Sequence, residues 1–581
     1  MKLIPLLLSF ALGGLAAPKL AKDVNTKADQ AQTFIVQWKN GASSAKHEKA
    51  ARKGLQVKGD LSVIGAGVYS GRGRDAADLA NDPDVEYITP DRTVTPTLDF
   101  ASPAVGADIA FQYGFTGAGV GVAIIDSGVT NQPDLMELNK SASRIVYKKN
   151  FVAGLGANAT SDQYGHGTHV AGVLAGNGLQ SSGSTFFKTF RGIAPAVKLV
   201  VLRVLDANGR GTDTQVIAAI DEAIKMKSRY NIRVINLSLG RPVYESYKVD
   251  PLCKAVERAW AAGIVVVVAA GNQGRENSAG TDGYGTISSP GNDPHVITVG
   301  AMKDNGTANR GDDTIATYSS KGPTAIDHIV KPDIVAPGNR VLALNASGGV
   351  IYKTYSSAVN KIPWNYYITG GKPDLSSVYY KLSGTSIATP FVSGTVALML
   401  QKEPGLTPET VKARLMRSAS KQFPTQSSVT DGSATYTSRY DIFTIGAGYL
   451  DVWGALNSSE IATGSTVSPA AYVDERGNAY IFNPDPIVWG SNALWGTSAL
   501  WGTNALWGTS AVWGTHIFAG AASALWGSNA LWGTNALWGS NALWGTQQAS
   551  GYSALWGTNA LWGAASPVTG EAVSTLVNGE N

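Results

Sequence analysis

The sequence has little cysteine and histidine and almost no net charge, and each scarcity excludes a class of protein. Cys253 is the only cysteine among 581 residues, so no internal disulfide can form. We interpret it as a small core residue, because no histidine pattern beside it supports a thiol nucleophile. The chain has 47 Lys and Arg against 43 Asp and Glu, and this net charge of +4 gives no support for nucleic-acid binding.

Long apolar runs are also missing, apart from one at the beginning of the chain. Met1 and Lys2 precede an apolar run over residues 3–15, and Ala16 and Ala17 follow it. This order is typical of a secretory signal peptide, so we predict that residues 1–17 are removed and that the protein is secreted and extracellular. A membrane anchor is the alternative, but the run is shorter than the roughly 20 residues that a membrane span needs.

Three short segments carry the groups that acyl transfer requires, in the order Asp126-Ser127-Gly128, His166-Gly167-Thr168-His169 and Gly384-Thr385-Ser386-Ile387-Ala388-Thr389-Pro390. A hydroxyl attacks an amide when a base takes its proton and a carboxylate orients that base. Ser386, His166 and Asp126 are therefore the candidate nucleophile, base and orienting acid.

Each segment also has a simpler interpretation when it is taken alone. Asp126 fits a turn at the end of a strand, and Ser386 fits the beginning of a helix. His166 and His169 could form a metal-binding pair, but the chain has only six histidines and no glutamate lies between or just after these two as in zinc proteases. The joint occurrence of the three segments favours a catalytic triad, and we predict no metal in this site.

Together with their neighbours, the three segments resemble the signatures of the subtilisin-like (subtilase) family of serine endopeptidases, on residues 122–128, 165–172 and 384–390. The order Asp, His, Ser is the subtilisin order. Ile387 is the visible departure, since the family usually has Met beside the nucleophile. The resemblance covers residues 30–456 and implies a secreted hydrolase that cleaves extended polypeptides through an acyl-enzyme, with no cofactor required for the chemistry.

The resemblance also implies groups that stabilise the transition state and bind the substrate. Asn272 follows an apolar run and corresponds to the family's oxyanion donor, with the backbone N–H of Ser386 as the second donor. The substrate would pair with two backbone segments and enter a pocket without an acidic residue, which favours apolar or broad specificity. The residues implied for substrate binding are Ser238, Leu239, Gly240, Gly209, Gly211, Ala270 and Gly271, with Ser288 and Ser289 as further candidates for the pocket floor.

The apolar pattern between about residues 104 and 456 alternates between strands and helices. Five runs have no polar alternation, as is typical of strands buried on both faces of a parallel sheet: residues 120–125, 199–204, 234–239, 264–270 and 296–299. Apolar residues recur at helical spacing between them. We therefore predict an α/β fold with a three-layer, doubly wound and mostly parallel sheet, in which Asp126 and Asn272 lie at the carboxyl ends of strands.

The sequence divides into four parts on this interpretation. After the signal peptide, residues 18–97 resemble the subtilase propeptide, a small α+β module that inhibits the enzyme and assists its folding. Residues 98–457 form the peptidase domain, and residues 458–581 form a repeat tail. The alternative for the second part is an unrelated small domain, and the sequence does not fix the cleavage site between residues 94 and 102.

Two features of the peptidase region leave alternatives open. Asp134 matches a family position that often ligates calcium, but residues 180–188 offer few of the other oxygen ligands. Structural calcium therefore remains an open alternative. Residues 343–380 have the pattern of an inserted surface region.

The last part of the chain repeats a unit close to Ala-Leu-Trp-Gly-Thr-Asn. Tryptophan recurs mainly at intervals of six residues, at positions 489, 495, 501, 507, 513, 526, 532, 538, 544, 556 and 562. A stacked β array and low-complexity disorder are both compatible with this pattern. Such a segment could bind a cell envelope, a polysaccharide or another copy of itself. The alternative function for the whole chain is therefore a surface-binding or scaffold protein in which the repeat is the main functional element.

Overall fold

The computed structural model describes most of the chain outside its N-terminus and the tryptophan repeat. The described residues are 19–21, 24–27, 29–61, 65–90, 100–278, 281–355, 360–424, 426–431, 434–462, 464–473, 479–482, 517–518, 575–577 and 579–580. The predicted signal peptide lies outside these residues, as do almost all of the tryptophan repeat and most of the predicted cleavage region. In the described part, no helix is long and apolar enough to cross a membrane.

The chain forms two compact units, residues 1–95 and 96–581. The first has the element order β-α-β-β-α-β, with β1 (Gln32–Trp38), α1 (Ser44–Arg52), β2 (Gln56–Leu61), β3 (Ala66–Gly71), α2 (Gly73–Ala80) and β4 (Val85–Pro90). Its antiparallel sheet has the strand order β2-β3-β1-β4. Alternate residues of β1 (Phe34, Val36 and Trp38) are buried beside Leu79 and Ile88. The unit is an α+β module, and its inhibitory role stays a prediction.

The second unit is built on an eight-stranded sheet. Its strands are β5 (Gly121–Asp126), β6 (Ile145–Asn150), β7 (Lys198–Arg203), β8 (Ile232–Leu237), β9 (Val265–Ala269), β10 (Ile297–Lys303), β11 (Thr314–Ile315) and β12 (Ile334–Pro337). The order is β11-β10-β9-β8-β5-β7-β6, with β12 paired to β10, and all pairs are parallel except β10 with β11. All five predicted strands are present, and the first residue of each lies within two positions of the predicted one. The prediction of an α/β fold is confirmed.

Helices pack on this sheet, and two pairs of them also pack against each other. The helices of the second unit are α3 (Ala101–Ala104), α4 (Ala107–Gln112), α5 (His166–Ala175), α6 (Asp213–Tyr230), α7 (Pro251–Ala261), α8 (Thr385–Lys402), α9 (Pro408–Ser418), α10 (Ile442–Ile445) and α11 (Val452–Asn457). Helix α5 packs on α8, and α6 packs on α7. Helix α8 is buried along its length because small and apolar residues surround its axis, and this matches its central position against β8, β9, β10 and β12. Cys253 on α7 is buried, as predicted.

The remaining strands form small sheets. They are β13 (Val341–Leu344), β14 (Lys361–Pro363), β15 (Leu375–Leu382), β16 (Gln426–Asp431), β17 (Ala434–Arg439), β18 (Ala470–Val473), β19 (Ala479–Phe482) and β20 (Ile517–Phe518). The prediction that residues 343–380 are a surface insertion is wrong in part. Ala343, Tyr367, Tyr379 and Tyr380 are buried in the main core, because β13 and β15 pair with each other and β13 packs against α5.

Candidate active site

Asp126 lies at the carboxyl end of β5, where the sequence predicted it. The strand is buried over all six residues, and the chain turns immediately afterwards through Gly128, whose φ of 98° suits glycine. The Oδ1 atom of Asp126 accepts a hydrogen bond from the N–H of Ser127 at 2.7 Å. The carboxylate is therefore fixed at the edge where a parallel sheet forms its ligand crevice.

His166 is the first residue of α5 and connects the other two candidate catalytic groups. Its Nδ1 atom lies 2.9 Å from Oδ1 and 3.0 Å from Oδ2 of Asp126. Its Nε2 atom lies 3.0 Å from Oγ of Ser386, although the two residues are 220 positions apart in the chain. The fold thus brings a carboxylate, an imidazole and a hydroxyl into one continuous chain of hydrogen-bonding groups, which is the arrangement that activates a serine nucleophile.

The charge of this imidazole is set by two opposing effects. Burial alone would lower the pKa of His166, because it disfavours the imidazolium, but the adjacent Asp126 carboxylate outweighs burial and raises the pKa above its ordinary value. Asp162 adds to this rise. The imidazolium that forms when His166 accepts a proton is therefore stabilised in place.

A second buried carboxylate, Asp162, supports this part of the site. Its Oδ1 atom accepts hydrogen bonds from Ser127 Oγ at 2.8 Å and from Gly165 N at 2.7 Å. Its Oδ2 atom accepts from the N–H and Oγ1 of Thr168 at 2.8 and 2.7 Å. These bonds connect the turn after Asp126 to the first turn of α5, an end of the helix that favours negative charge. Asp162 was not singled out from the sequence, because its bond to Ser127, 35 residues away in the chain, is not visible in a local pattern.

Ser386 is in the first turn of α8, where backbone N–H groups have no partner within the helix. Asn272, three residues after β9, reaches the same turn: its Oδ1 atom accepts hydrogen bonds from the N–H of Thr385 at 2.9 Å and from its Oγ1 at 3.0 Å. A Cβ atom built on Gly384 would lie 3.1 Å from Ser386 Oγ and 3.2 Å from Asn272 Nδ2. The amide nitrogen of Asn272 and the Ser386 hydroxyl therefore both lie close to Gly384. Thr385, which orients Asn272, was not singled out from the sequence.

Ser238 belongs to the predicted substrate segment, but its side chain has a different contact. Its Oγ atom donates to the backbone oxygen of Ser386 at 2.6 Å and accepts from Asn236 Nδ2 at 2.9 Å. The side chain is 4% exposed and holds the beginning of α8. The backbone of Leu239 and Gly240 follows directly at the end of β8.

Gly240 of the predicted substrate segment and the predicted pocket residues Ala270 and Gly271 meet around Ser288. Cβ atoms built on Gly240 and Gly271 would lie 3.0 Å from Ser288 Cβ and 2.4 Å from Ser288 Oγ, respectively. The N–H of Ser288 also donates to the backbone oxygen of Ala270 at 2.9 Å. Any larger side chain at either glycine would therefore collide with this group.

The predicted opposing segment lies in the loop between β7 and α6. A Cβ atom built on Gly209 would lie 2.6 Å from the ring of Tyr164, and the Tyr164 and His166 rings have centroids 6.5 Å apart. A Cβ atom on Gly211 would instead meet the backbone oxygen of Val204 at 2.6 Å. Gly209 is thus brought beside the residues that precede His166, while Gly211 packs against the end of β7.

Asp134 is buried and has donors on both oxygens. Oδ1 accepts from Gln180 N at 2.7 Å and Oδ2 from Tyr379 Oη at 2.7 Å. Burial raises the pKa of this carboxyl group. Donors rather than oxygen ligands surround it, so these contacts do not fit a calcium site, and no step of the chemistry is assigned to calcium.

His169 and a cluster of three other side chains are further candidate metal ligands. The Nε2 atom of His169 lies 3.0 Å from the backbone oxygen of Val341, and burial lowers the pKa of this histidine to about 3, which keeps it neutral. Among the described residues, Glu257, Asp293 and His295 also lie close together. His295 Nδ1 is 3.2 Å from Asp293 Oδ1, and Glu257 binds Lys254 at 2.8 Å, so ion pairing accounts for this group.

The sequence is similar to those of several known proteins. The profile described as the subtilase family matches residues 117–439. Serine protease AprX of Bacillus subtilis is 38% identical over 341 residues, which are 57% of this chain and 68% of that protein. Subtilisin DY of Bacillus licheniformis is 32% identical over 360 residues, 62% of this chain and 98% of that protein, and subtilisin E of Bacillus subtilis is 29% identical over 413 residues, 70% and 90% of the two chains.

Proposed function

The chain belongs to the subtilase family and is a serine-type endopeptidase, and from this premise we propose that Asp126, His166 and Ser386 are its catalytic triad. The observation that carries the proposal is the position of one buried imidazole, with Nε2 at 3.0 Å from Ser386 Oγ and Nδ1 at 2.9 Å from Asp126 Oδ1. Each group is in a position suited to one role in acyl transfer.

In the first half of the reaction, Ser386 Oγ attacks the carbonyl carbon of the scissile peptide bond and its proton passes to His166 Nε2. Asp126 stabilises the imidazolium that results. The carbonyl oxygen becomes negative, and it accepts hydrogen bonds from Asn272 Nδ2 and the Ser386 N–H. His166 then gives its proton to the leaving amine, the C–N bond breaks, and an acyl-enzyme remains. Water repeats the sequence and releases the acid, with His166 again as base and then acid.

The substrate is an extended polypeptide that pairs with the backbone of Leu239 and Gly240 on one side and with the Gly209 loop on the other. The side chain before the cleaved bond enters the space between Gly240, Gly271 and Ser288. No acidic side chain is among these residues, which favours apolar or broad specificity.

The proposal also covers the maturation and secretion of the enzyme. Residues 18–97 include the α+β unit and act as an inhibitory propeptide, so the protein is made as a zymogen and secreted after removal of residues 1–17. If the enzyme removes its own propeptide, the purified wild type should shorten to the mature form, whereas Ser386→Ala should keep residues 18–97 attached. Intact-mass analysis of both proteins measures this. Equal shortening of both proteins would indicate an external protease instead.

Covalent labelling tests the nucleophile directly. A sulfonyl fluoride reacts with serines activated by a neighbouring base, so we expect a single adduct that peptide mass spectrometry assigns to Ser386. The His166→Ala variant should lose this labelling, and Ser428→Ala, which removes an exposed hydroxyl on β16, should keep it. Labelling of another serine at an equal rate would contradict the assignment.

A further inference from the structure

The last described segment of the chain packs against the peptidase unit beside the active site. It includes Thr575–Val577, Gly579 and Glu580, which we call the strap. Leu576 and Val577 are 6% and 3% exposed and join the main hydrophobic core. Glu580 is 2% exposed. Burial of a carboxylate is costly unless it is paired, so its partners define what the strap does.

Glu580 joins two neighbouring loops. Its Oε1 atom accepts hydrogen bonds from Arg275 Nη2 at 2.9 Å and from Thr317 N at 2.6 Å, and it also contacts Thr317 Oγ1. Arg275 Nε in turn donates to Thr317 Oγ1 at 2.7 Å. Arg275 is three residues after Asn272, so the buried carboxylate fixes the far end of the loop that presents the proposed oxyanion donor.

The strap also contacts the chain just before the proposed nucleophile. The N–H of Ser383 donates to the backbone oxygen of Leu576 at 2.9 Å, and Ser383 is three residues before Ser386. Asn339 forms two hydrogen bonds with the backbone of Glu580. Asn339 Nδ2 donates to the Glu580 backbone oxygen at 3.0 Å, and the Glu580 N–H donates to Asn339 Oδ1 at 2.8 Å. The strap is therefore bound to both chain segments that form the proposed oxyanion site.

Gly579 shows how closely the strap fits. Its φ is 58°, and a Cβ atom there would lie 2.3 Å from Ser383 Oγ and 2.7 Å from Asn339 Oδ1. Any side chain at this position would displace the strap from Ser383. In the chain, the tryptophan repeat lies between β19, which pairs with β18, and the strap, and these described flanking segments belong to the same unit.

We propose that the strap is a positioning element for catalysis, in which Glu580 acts through Arg275 to hold the loop of Asn272 and Leu576 acts through Ser383 to hold the beginning of α8. The proposal rests on the function assigned above to Asn272 and Ser386. Its consequence is that residues beyond the repeat, far outside the segment matched by the family profile, set the turnover rate.

The test compares full-length variants on a chromogenic peptide. Glu580→Gln removes the charge that pairs with Arg275, and Gly579→Ala displaces the strap sterically. We expect kcat to fall at least about tenfold in both, in line with the loss of a hydrogen bond to a charged group, while KM changes less than twofold. Glu580→Asp, which keeps the charge, should recover part of the loss. Unchanged kcat in both variants would overturn the proposal.

Two matched controls separate positioning from general damage. Glu245→Gln removes a carboxylate from a more exposed pair, and Gly370→Ala introduces a side chain at a φ of 69° with no atom within 4 Å. Both should keep wild-type kcat. A Gly579→Ala protein with a lower unfolding midpoint but normal kcat in the folded state would assign the strap a purely structural role and also overturn the proposal.

Hydrogen exchange distinguishes failure of this proposal from failure of the triad assignment. In the Ser386→Ala background, Gly579→Ala should speed amide exchange in residues 271–276 and 383–388 compared with Ser386→Ala alone. This readout does not depend on turnover. If Gly579→Ala speeds exchange but Ser386→Ala is still active, the triad assignment is wrong and the contacts of the strap stand. If Gly579→Ala leaves exchange unchanged, the proposed role of the strap is wrong.

Discussion

Asp126 and Asp333 are both buried carboxylates of the same sheet region, but they have different donors. Asp126 faces the imidazole of His166. Asp333, just before β12, binds the ammonium groups of Lys331 at 2.6 Å and Lys412 at 3.3 Å. Burial would raise the pKa of Asp333, but the two lysines outweigh it and lower the pKa.

The difference lies in what each donor contacts besides the carboxylate. Lys331 and Lys412 also donate to the backbone oxygens of Val296 and Pro294, so this cluster joins the strands and α9. The imidazole of His166 also contacts the Ser386 hydroxyl, and an imidazole can accept and release a proton near neutral pH, so in the proposed mechanism the same kind of buried carboxylate becomes part of a catalytic triad. On this proposal, the identity of the partner, rather than burial, separates a structural carboxylate from a catalytic one.

The largest expected effect is on the catalytic side of this comparison. Asp126→Asn keeps the size and the acceptor for Ser127 but cannot stabilise the imidazolium, so kcat should fall by about 10⁴, the loss found when this carboxylate is neutralised in serine peptidases. The urea unfolding midpoint should stay close to wild type. A loss of less than tenfold would remove Asp126 from the triad.

The matching change on the structural side should affect folding instead. Asp333→Asn leaves two buried ammonium groups without their counter-charge, so the free energy of unfolding should fall by about 3–5 kcal/mol. Urea unfolding of the variant in the Ser386→Ala background measures this without self-digestion. Asp374→Asn, at an exposed carboxylate, is the control and should change little. If Asp333→Asn lowers kcat of the folded enzyme as strongly as Asp126→Asn does, the distinction between the two sites fails.

A smaller effect is expected where the two roles meet, at Asp162. Asp162→Asn weakens the bonds to Ser127 and Thr168, so kcat/KM should fall by about tenfold, the value of one hydrogen bond to a charged group. Because the Asp162 charge helps to raise the pKa of His166, the acid limb of the pH–rate profile should also move to lower pH. In the wild type, the pKa that this acid limb reports should be higher than the ordinary pKa of histidine. A shift to higher pH in the variant would contradict this account.

The smallest effect concerns pH and Lys412. Burial lowers the pKa of Lys412 to about 7, below the ordinary lysine value that it has in the unfolded chain. Between about pH 7 and 10 the unfolded chain therefore binds more protons, and stability from this group rises with pH. Urea midpoints of Ser386→Ala should rise over this range relative to Ser386→Ala with Lys412→Met. Parallel curves for the two proteins would show that Lys412 does not titrate there.

Much of the site could be predicted because local pattern determines it. Apolar runs place Asp126 and Asn272 after strands, and the parallel sheet brings those strand ends to one edge. Asp162 and Thr385 act through contacts between distant segments, which no local pattern reports. The prediction for residues 343–380 was wrong in part for a related reason, since Tyr379 and Tyr380 are buried where β13 pairs with β15 rather than within a continuous apolar run.

The central claim is that Ser386 is the nucleophile, and the turnover of Ser386→Ala tests it most directly. The variant should retain its fold and hydrolyse a peptide substrate at least about 10⁴-fold more slowly than wild type under identical conditions. Hydrolysis within tenfold of wild type by the folded variant would contradict the account.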